Sequence, residues 1–363
     1  MFVNRVVILS FAVLLTLTAC VPGISNKPGA STITELETTA VEPVNSSTPI
    51  TISGKLVIYS GRSEPLIQPV LDAFKTKYPD IEVLLKAGSN SELANALIEE
   101  QVNPQADVFI TTELFTVQAL AQKGVFQPFR PNAAELIPAD FIGPDNTWIG
   151  LTQRARVIMY NTDLVKPEDL PTSVFDLTDP KWRGQVAAAG STNGSMQAQI
   201  AAMRQLLGDE ETESWLQGLL DNDITFFGGH TDVRKAVGTG EFALGLVNHY
   251  YFHLQQAEGS KVGIIFPDQG PGQIGLITNA TAAAIIKGSA NMAAAQVFVD
   301  FLVSGEGQQL FADLNFEYPL IPGVILRESV QPLDQYRLVD INVSQATLET
   351  EATFALIEKI GMP

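Results

Sequence analysis

Residues 55–85, KLVIYSGRSEPLIQPVLDAFKTKYPDIEVLL, decide the fold. Lys55-Leu56-Val57-Ile58-Tyr59 is a short β-rich run that closes on the turn pair Ser60-Gly61. Leu66, Ile67, Val70, Leu71 and Phe74 then recur at helical spacing, and Pro69 marks the first turn as the place where that helix begins. Ile81 to Leu85 follows as a buried-strand run. Strand, helix, strand in this order is a βαβ unit, which requires a mostly parallel sheet covered on both faces.

The rhythm continues. Ser91 to Glu100 reads as a helix, Asp107 to Ile110 as a strand, and Leu114 to Lys123 as a helix ended by Gly124. It recurs in Gln185 to Ala189, Met196 to Leu207, Ile224 to Phe227, Asp232 to Val237 and Phe242 to Val247, then in Thr281 to Ile286 and Asn291 to Val303. A chain of 363 residues exceeds one compact core, so two lobes are expected. The first lobe is placed at 54–150 with a return over 273–323, and the second at 151–272, with Gly270-Pro271-Gly272 as the crossing back. Residues 324–363, carrying Leu348, Phe354, Ile357 and Ile360, form a terminal segment that packs on one lobe or hangs from it.

Upstream of Gly54 the composition changes. Residues 1–19 have one early charge, Arg5, and the apolar run Val6 to Leu17, too short to span a bilayer comfortably, as in a signal peptide. Leu17-Thr18-Ala19-Cys20 resembles the bacterial lipobox, which implies cleavage before Cys20 and acylation of its thiol. Residues 20–53, rich in Ser, Thr and Pro, read as a flexible tether. The expected location is therefore extracytoplasmic, with the protein lipid-anchored at the bacterial cell membrane.

The chain carries 22 basic and 40 acidic side chains, a formal charge of −18, which argues against nucleic acid or anionic lipid as a partner. Cys20 is the sole cysteine, which excludes internal disulfides and cysteine-based zinc or iron–sulfur sites.

Ligands of two-lobed α/β proteins bind where strand ends and helix starts face the cleft, so the loops there are the candidates. Tyr59-Ser60-Gly61-Arg62-Ser63-Glu64 combines a turn, hydroxyls, one guanidinium and one carboxylate. In the strand Gln153 to Asn161, Arg154, Arg156, Ile158 and Tyr160 share a face, and two guanidiniums there suit an anion or pair with surplus carboxylates. Ser191-Thr192-Asn193-Gly194-Ser195 precedes a helix, where capping side chains and free N–H groups collect. Asn248-His249-Tyr250-Tyr251 is the sharpest: adjacent tyrosines reach one ligand only from an irregular turn or helix start. Phenolates suit a hard cation such as Fe(III), while the bland alternative packs both rings at a core edge. His249 and His253 have the i, i+4 spacing of a zinc pair but lack a third ligand nearby.

Together, the lipobox, the tether, Ala106-Asp107-Val108-Phe109, Arg154-Ala155-Arg156-Val157 and Asn248-His249-Tyr250-Tyr251 make the chain similar to the ferric-iron-binding family, substrate-binding proteins of bacterial ABC transporters. The resemblance runs from about Lys55 to Pro322. It implies a two-lobed periplasmic-binding-protein fold of the Venus-flytrap, type II kind, with mostly parallel sheets and crossing strands. It also implies a monomeric, non-enzymatic protein that closes on one ferric ion and delivers it to a membrane permease. Tyr250, Tyr251 and Tyr160 take the positions of phenolate ligands. Asn248 and Asn193 to Ser195 resemble the places that hold a synergistic anion, and Arg62, Arg154 and Arg156 would neutralise carbonate or another anion. The first-lobe loop departs from the pattern, with Ser63 and Glu64 in place of histidine or tyrosine. Either Glu64 or Glu113 supplies a carboxylate, or anion and water complete the shell, or the ligand differs. The same fold serves thiamine, polyamines or oxyanions such as sulfate. An exported hydrolase is the rival of another class, although the chain has no Gly-x-Ser-x-Gly or His-Glu-x-x-His motif.

Overall fold

The computed structural model describes residues 52–348 and 350–363. The expected signal peptide, Cys20 and nearly all of the tether lie outside the described residues. Residues 50–363 form a compact unit of their own, with hydrophobic cores built from its described residues.

The chain opens with β1 (Gly54–Ser60), α1 (Glu64–Lys77), β2 (Ile81–Ala87), α2 (Asn90–Glu99), β3 (Val108–Thr111), α3 (Leu114–Gln122) and β4 (Phe126–Gln127). Strand β1 pairs in parallel with β2 on one side and β3 on the other. Helix α1 starts at Glu64, with Ser63 at its N-cap, and so contains Pro69 instead of beginning there. Pro65 already occupies the first turn, where a missing N–H costs nothing, and Pro69 lies within the helix that follows. Strand β2 is likewise no buried run: it lies at the sheet edge, with Leu84 exposed and only Ile81 buried.

The long strand β5 (Ile149–Asn161) crosses to the second half, formed by β6 (Val186–Ala189), α4 (Gly194–Leu207), α5 (Asp209–Asp221), β7 (Thr225–Phe227), α6 (His230–Thr239), β8 (Leu244–Asn248), α7 (His249–Ala257) and β9 (Val262–Ile265). Then β10 (Thr278–Ile286), α8 (Met292–Val303), α9 (Gly305–Asn315) and β11 (Tyr318–Pro319) return, before α10 (Val343–Leu348) and α11 (Thr350–Lys359). Strands β7 and β8 both run parallel to β6. The crossing strands are antiparallel: β10 pairs with β3 and with the first half of β5, whereas Arg156 to Tyr160 of β5 pair with β8. Arg154 and Arg156 therefore sit where one strand leaves one sheet and joins the other.

Apolar clusters occupy both halves. Leu56, Ile58, Phe74, Val108, Phe298 and Phe311 pack the first, where the Phe74 and Phe298 rings meet edge to face at 4.9 Å. Ile158, Val186, Met196, Ile200, Trp215 and Leu244 pack the second.

The two halves touch at Gly194, the first residue of α4. A Cβ there would lie 2.7 Å from Asn90 Nδ2, 3.3 Å from Glu113 Cγ and 3.4 Å from Thr112 Oγ1, all on the opposite lobe. Only a bare backbone allows this approach. Gly194→Val should prop the lobes apart and weaken ligand binding by about tenfold, with the unfolding midpoint changed little because neither core is touched. Scattering and binding measured side by side check this; unchanged affinity would contradict it.

Candidate functional site

A cavity of about 200 Å³ lies at this junction, lined by Arg62, Ser63, Thr112, Arg154, Asn193, Ser195, Gly229, His230, Tyr250 and Tyr251, among others. A larger cavity of about 290 Å³, between α2, α3, α4 and α11, is mainly apolar and is lined by neither arginine nor tyrosine.

Helix α7 begins at His249, which puts Tyr250 and Tyr251 in its first turn. Adjacent residues diverge by roughly 100° on a helix, yet at its start both reach the same space. Their ring centroids are 4.3 Å apart at 34°, and the rings are 4% and 9% exposed. Burial, then Tyr250 beside it, pushes the Tyr251 hydroxyl well above the usual phenol range, while Arg154 and Arg62 oppose that rise.

The N-cap of α7, Asn248, makes no cap bond with its side chain. Its Oδ1 accepts from Arg156 Nη1 at 3.0 Å and its Nδ2 donates to Ser195 Oγ at 3.1 Å, which ties β8 to β5 and α4. Asn193 does cap α4, accepting from the backbone N–H groups of Ser195 at 3.1 Å and Met196 at 3.4 Å.

Arginine chemistry dominates the rest. Arg62 is clamped by Glu317, Nη2 to Oε1 at 2.6 Å and Nη1 to Oε2 at 3.1 Å, and Nη1 also donates to Thr281 Oγ1 at 3.0 Å. Burial alone would lower the Arg62 pKa, but Glu317 raises it above the usual value. Arg154 donates to the Thr112 carbonyl across the lobes. Arg156 donates through Nε to Gln199 Oε1 at 2.8 Å and contacts His230 Nε2 at 3.2 Å. Burial pulls Arg156 down to about 9. Neither Arg154 nor Arg156 has an ion-pair partner among the described residues, and the cavity lining contains no carboxylate.

The histidines are buried too. Because Nε2 of His230 faces a guanidinium that can only donate, its Nδ1 carries the proton. That Nδ1 finds no partner among the described residues, nor do Arg62 Nε, Arg154 Nε, Arg156 Nη2 and Gln199 Nε2. Every one of these groups is a donor, so the site is short of acceptors. His249 and His253 do not make a zinc pair. His249 accepts from Ala155 N at 3.3 Å and meets the Phe316 carbonyl at 2.8 Å, and His253 stacks on the Phe316 ring.

Burial holds all three histidines below the ordinary value of 6.5, His253 down to about 4. An unfolded chain protonates them on acidification while the native one resists, so stability is full above about pH 6.5 and is lost as the pH falls toward the native values. For His253 that loss amounts to about 3 kcal/mol over the whole window. The unfolding midpoint should drop steeply from about pH 6.5 to 4.5, less so in His253→Gln; a flat profile would contradict this reading.

The family model of the bacterial extracellular solute-binding proteins matches residues 103–338. The chain belongs to this family. This solute-binding protein is 35% identical over 267 residues to iron uptake protein A1 of Synechocystis, covering 71% of this chain and 73% of that one. It is 28% identical to the major ferric iron-binding protein of Neisseria meningitidis, over 85% of this chain and 93% of that one. Among solved structures it resembles iron-bound HitA from Pseudomonas aeruginosa, with TM-score 0.77, 29% identity, and 85% and 99% of the two chains covered. It also resembles Trichodesmium IdiA (FutA) in complex with iron and citrate, with TM-score 0.69, 30% identity, and the same coverage. The two-lobed type II fold and the resemblance expected from the sequence therefore hold, and the protein is a transport component, not an enzyme.

Of the expected site residues, Arg62, Ser63, Arg154, Asn193, Ser195, Tyr250 and Tyr251 line the cavity. Ser60, Arg156 and Asn248 stand behind it as supports; Ser60 Oγ accepts from the Arg62 N–H at 3.1 Å. Three residues do not line it, although one of them, Glu113, stands at the same lobe junction beside Gly194 and within reach of the Arg154 charge. Tyr160 shares the arginine face of β5, but four residues carry it about 13 Å along the strand. Its ring there covers Gly263 and packs on the second-lobe core, so it does not join the other tyrosines. Glu64 is exposed on the first turn of α1. Glu113 caps α3, accepting from Thr116 N at 3.0 Å, and burial raises its pKa. The sequence reading missed Thr112, Gln199, His230 and Glu317 as site members. Gly228-Gly229 before a helix start was a usable signal for His230, whereas Glu317 lies 255 residues from Arg62 and leaves no local trace.

Proposed function

We propose that this solute-binding protein captures ferric iron between its lobes through the phenolates of Tyr250 and Tyr251, with carbonate or another synergistic anion, and delivers it to the permease of an ABC transporter. It works as a monomer, lipid-tethered through Cys20. The observation that carries the reading is the pair of buried tyrosines, 4.3 Å apart, facing Arg62, Arg154 and a helix start in one cavity. Two phenolates offer hard oxygens to a trivalent cation, and the unpartnered donors suit the oxygens of an accompanying anion. The names of the relatives, an iron uptake protein and a ferric iron-binding protein, support the same ligand. With Glu64 and Tyr160 off the cavity and the Glu113 carboxylate engaged in capping α3, anion and water complete the metal's shell.

Visible titration of residues 50–363 with ferric citrate tests this reading: a saturable phenolate-to-iron band at one iron per chain is expected, and no band would overturn it. The surplus of donors over acceptors favours one other ligand class, an oxyanion held without metal. Calorimetry with phosphate or sulfate in iron-free buffer separates the two, because that reading requires tight binding with no colour.

A further inference from the structure

Residues 343–363 connect three places that matter for closure. Val343 packs on the first-lobe cluster that includes Leu93, Val117 and Trp148, and α10 lies along α3. Helix α11 lies along α4, and Leu356, Ile357 and Met362 enter the second-lobe core. Polar contacts fix this second seat: Arg204 Nη1 donates to Thr353 Oγ1 at 2.8 Å and Lys359 pairs with Glu213 at 2.7 Å. Just upstream, the backbone of Asn342 exchanges two hydrogen bonds with the Gln205 side chain, at 2.9 and 3.1 Å.

The segment ends at the cavity loop. The Pro363 carbonyl accepts from Ser191 N–H at 2.6 Å, and a Cβ on Gly190 would lie 2.6 Å from that oxygen, so the glycine makes the approach possible. Gly190 in turn accepts from the N–H of Asn193, the residue that caps α4 beside the ligand space.

We propose that residues 343–363 are a strap that holds the two lobes closed and positions the 190–195 loop, so that releasing the strap from either lobe opens the cleft. A hinge that opens between α3 and α4 must lift α10 from α3, or else free α11, the edge of α10 and Asn342 together from α4, because the chain between the two helices is short. Closure then draws on contacts that no ligand makes, and part of the closed population exists before ligand arrives.

The test labels residues 50–363, which lack Cys20, at Val102→Cys and Asp221→Cys, exposed positions on opposite lobes, and measures the distance between labels without ligand. Val343→Asp should add a longer-distance population while keeping the parent's far-ultraviolet dichroism, since its seat is only one edge of the first-lobe core. Removal of 360–363, which keeps α11, should do the same more weakly. The ferric-citrate-loaded Val343→Asp variant should release iron about tenfold faster, as expected if the closed fraction falls by a similar factor. A distance distribution identical to the parent's in both variants would overturn the strap. The distances are read without iron, so a protein that took up no metal would defeat the ferric reading and leave this test intact.

Discussion

Tyr250→Phe and Tyr251→Phe should each lower ferric affinity by more than about 100-fold, the upper range for removing a mere outer-shell partner of a metal. The double variant should lose the visible band altogether. Each change deletes one oxygen and keeps the ring, so the aromatic contact at 4.3 Å and the packing of α7 survive. Loss of iron with an unchanged unfolding midpoint is therefore the expected pair of results. Metal must displace both phenolic protons, and Tyr251 is held protonated by burial and by Tyr250. Apparent affinity should accordingly rise from about pH 6 to 8, with about two protons released per iron. Full affinity in the double Phe variant would remove phenolate ligation from the account.

The second large effect lies at Glu317. Its carboxylate is fully buried, clamps Arg62 through two hydrogen bonds and accepts a third from Thr152 Oγ1. Glu317→Ala leaves a guanidinium in the interior with no counter-charge, a situation that costs about 3–5 kcal/mol. Replacing both partners, as in Arg62→Met with Glu317→Leu, should recover most of that stability, because the desolvation cost disappears with the charges. The double variant would still bind its ligand poorly, having lost the first-lobe cation at the cavity. Urea unfolding of the three variants checks the cycle. A Glu317→Ala penalty below about 1 kcal/mol would mean that water or a neighbour satisfies Arg62.

Much of the fold was legible because its periodicities are local. The β1–α1–β2 unit, the helices α2 to α4 and the strands β6, β8 and β10 appear near their expected positions, since each pairs a β-rich run or an apolar helical stripe with a turn signal. Pro69 misled the start of α1 because Pro65 already occupied the favoured first-turn place. The burial of Ile81 to Leu85 was overestimated because an apolar composition does not tell an edge strand from a central one.

In the site, the tandem tyrosines, Arg62, Arg154 and the Asn193 cap were legible from residue type at strand ends and helix starts. Tyr160 was misplaced because alternation assigns a face but not a distance along it. Glu64 and Glu113 were misplaced because a carboxylate in a cleft loop is equally suited to capping, which is what Glu113 does. Glu317 and His230 depend on contacts between segments far apart in the chain, 255 residues for Arg62 with Glu317 and 74 for Arg156 with His230, and no local pattern encodes these.

The central claim is that iron bonds directly to Tyr250 and Tyr251. Resonance Raman spectroscopy of residues 50–363 loaded with ferric citrate, excited within the visible band, tests it most directly. The account predicts enhanced tyrosinate ring vibrations that weaken in each single Phe variant and vanish in the double one. A coloured protein whose spectrum lacks those vibrations, or keeps them in the double variant, would contradict it.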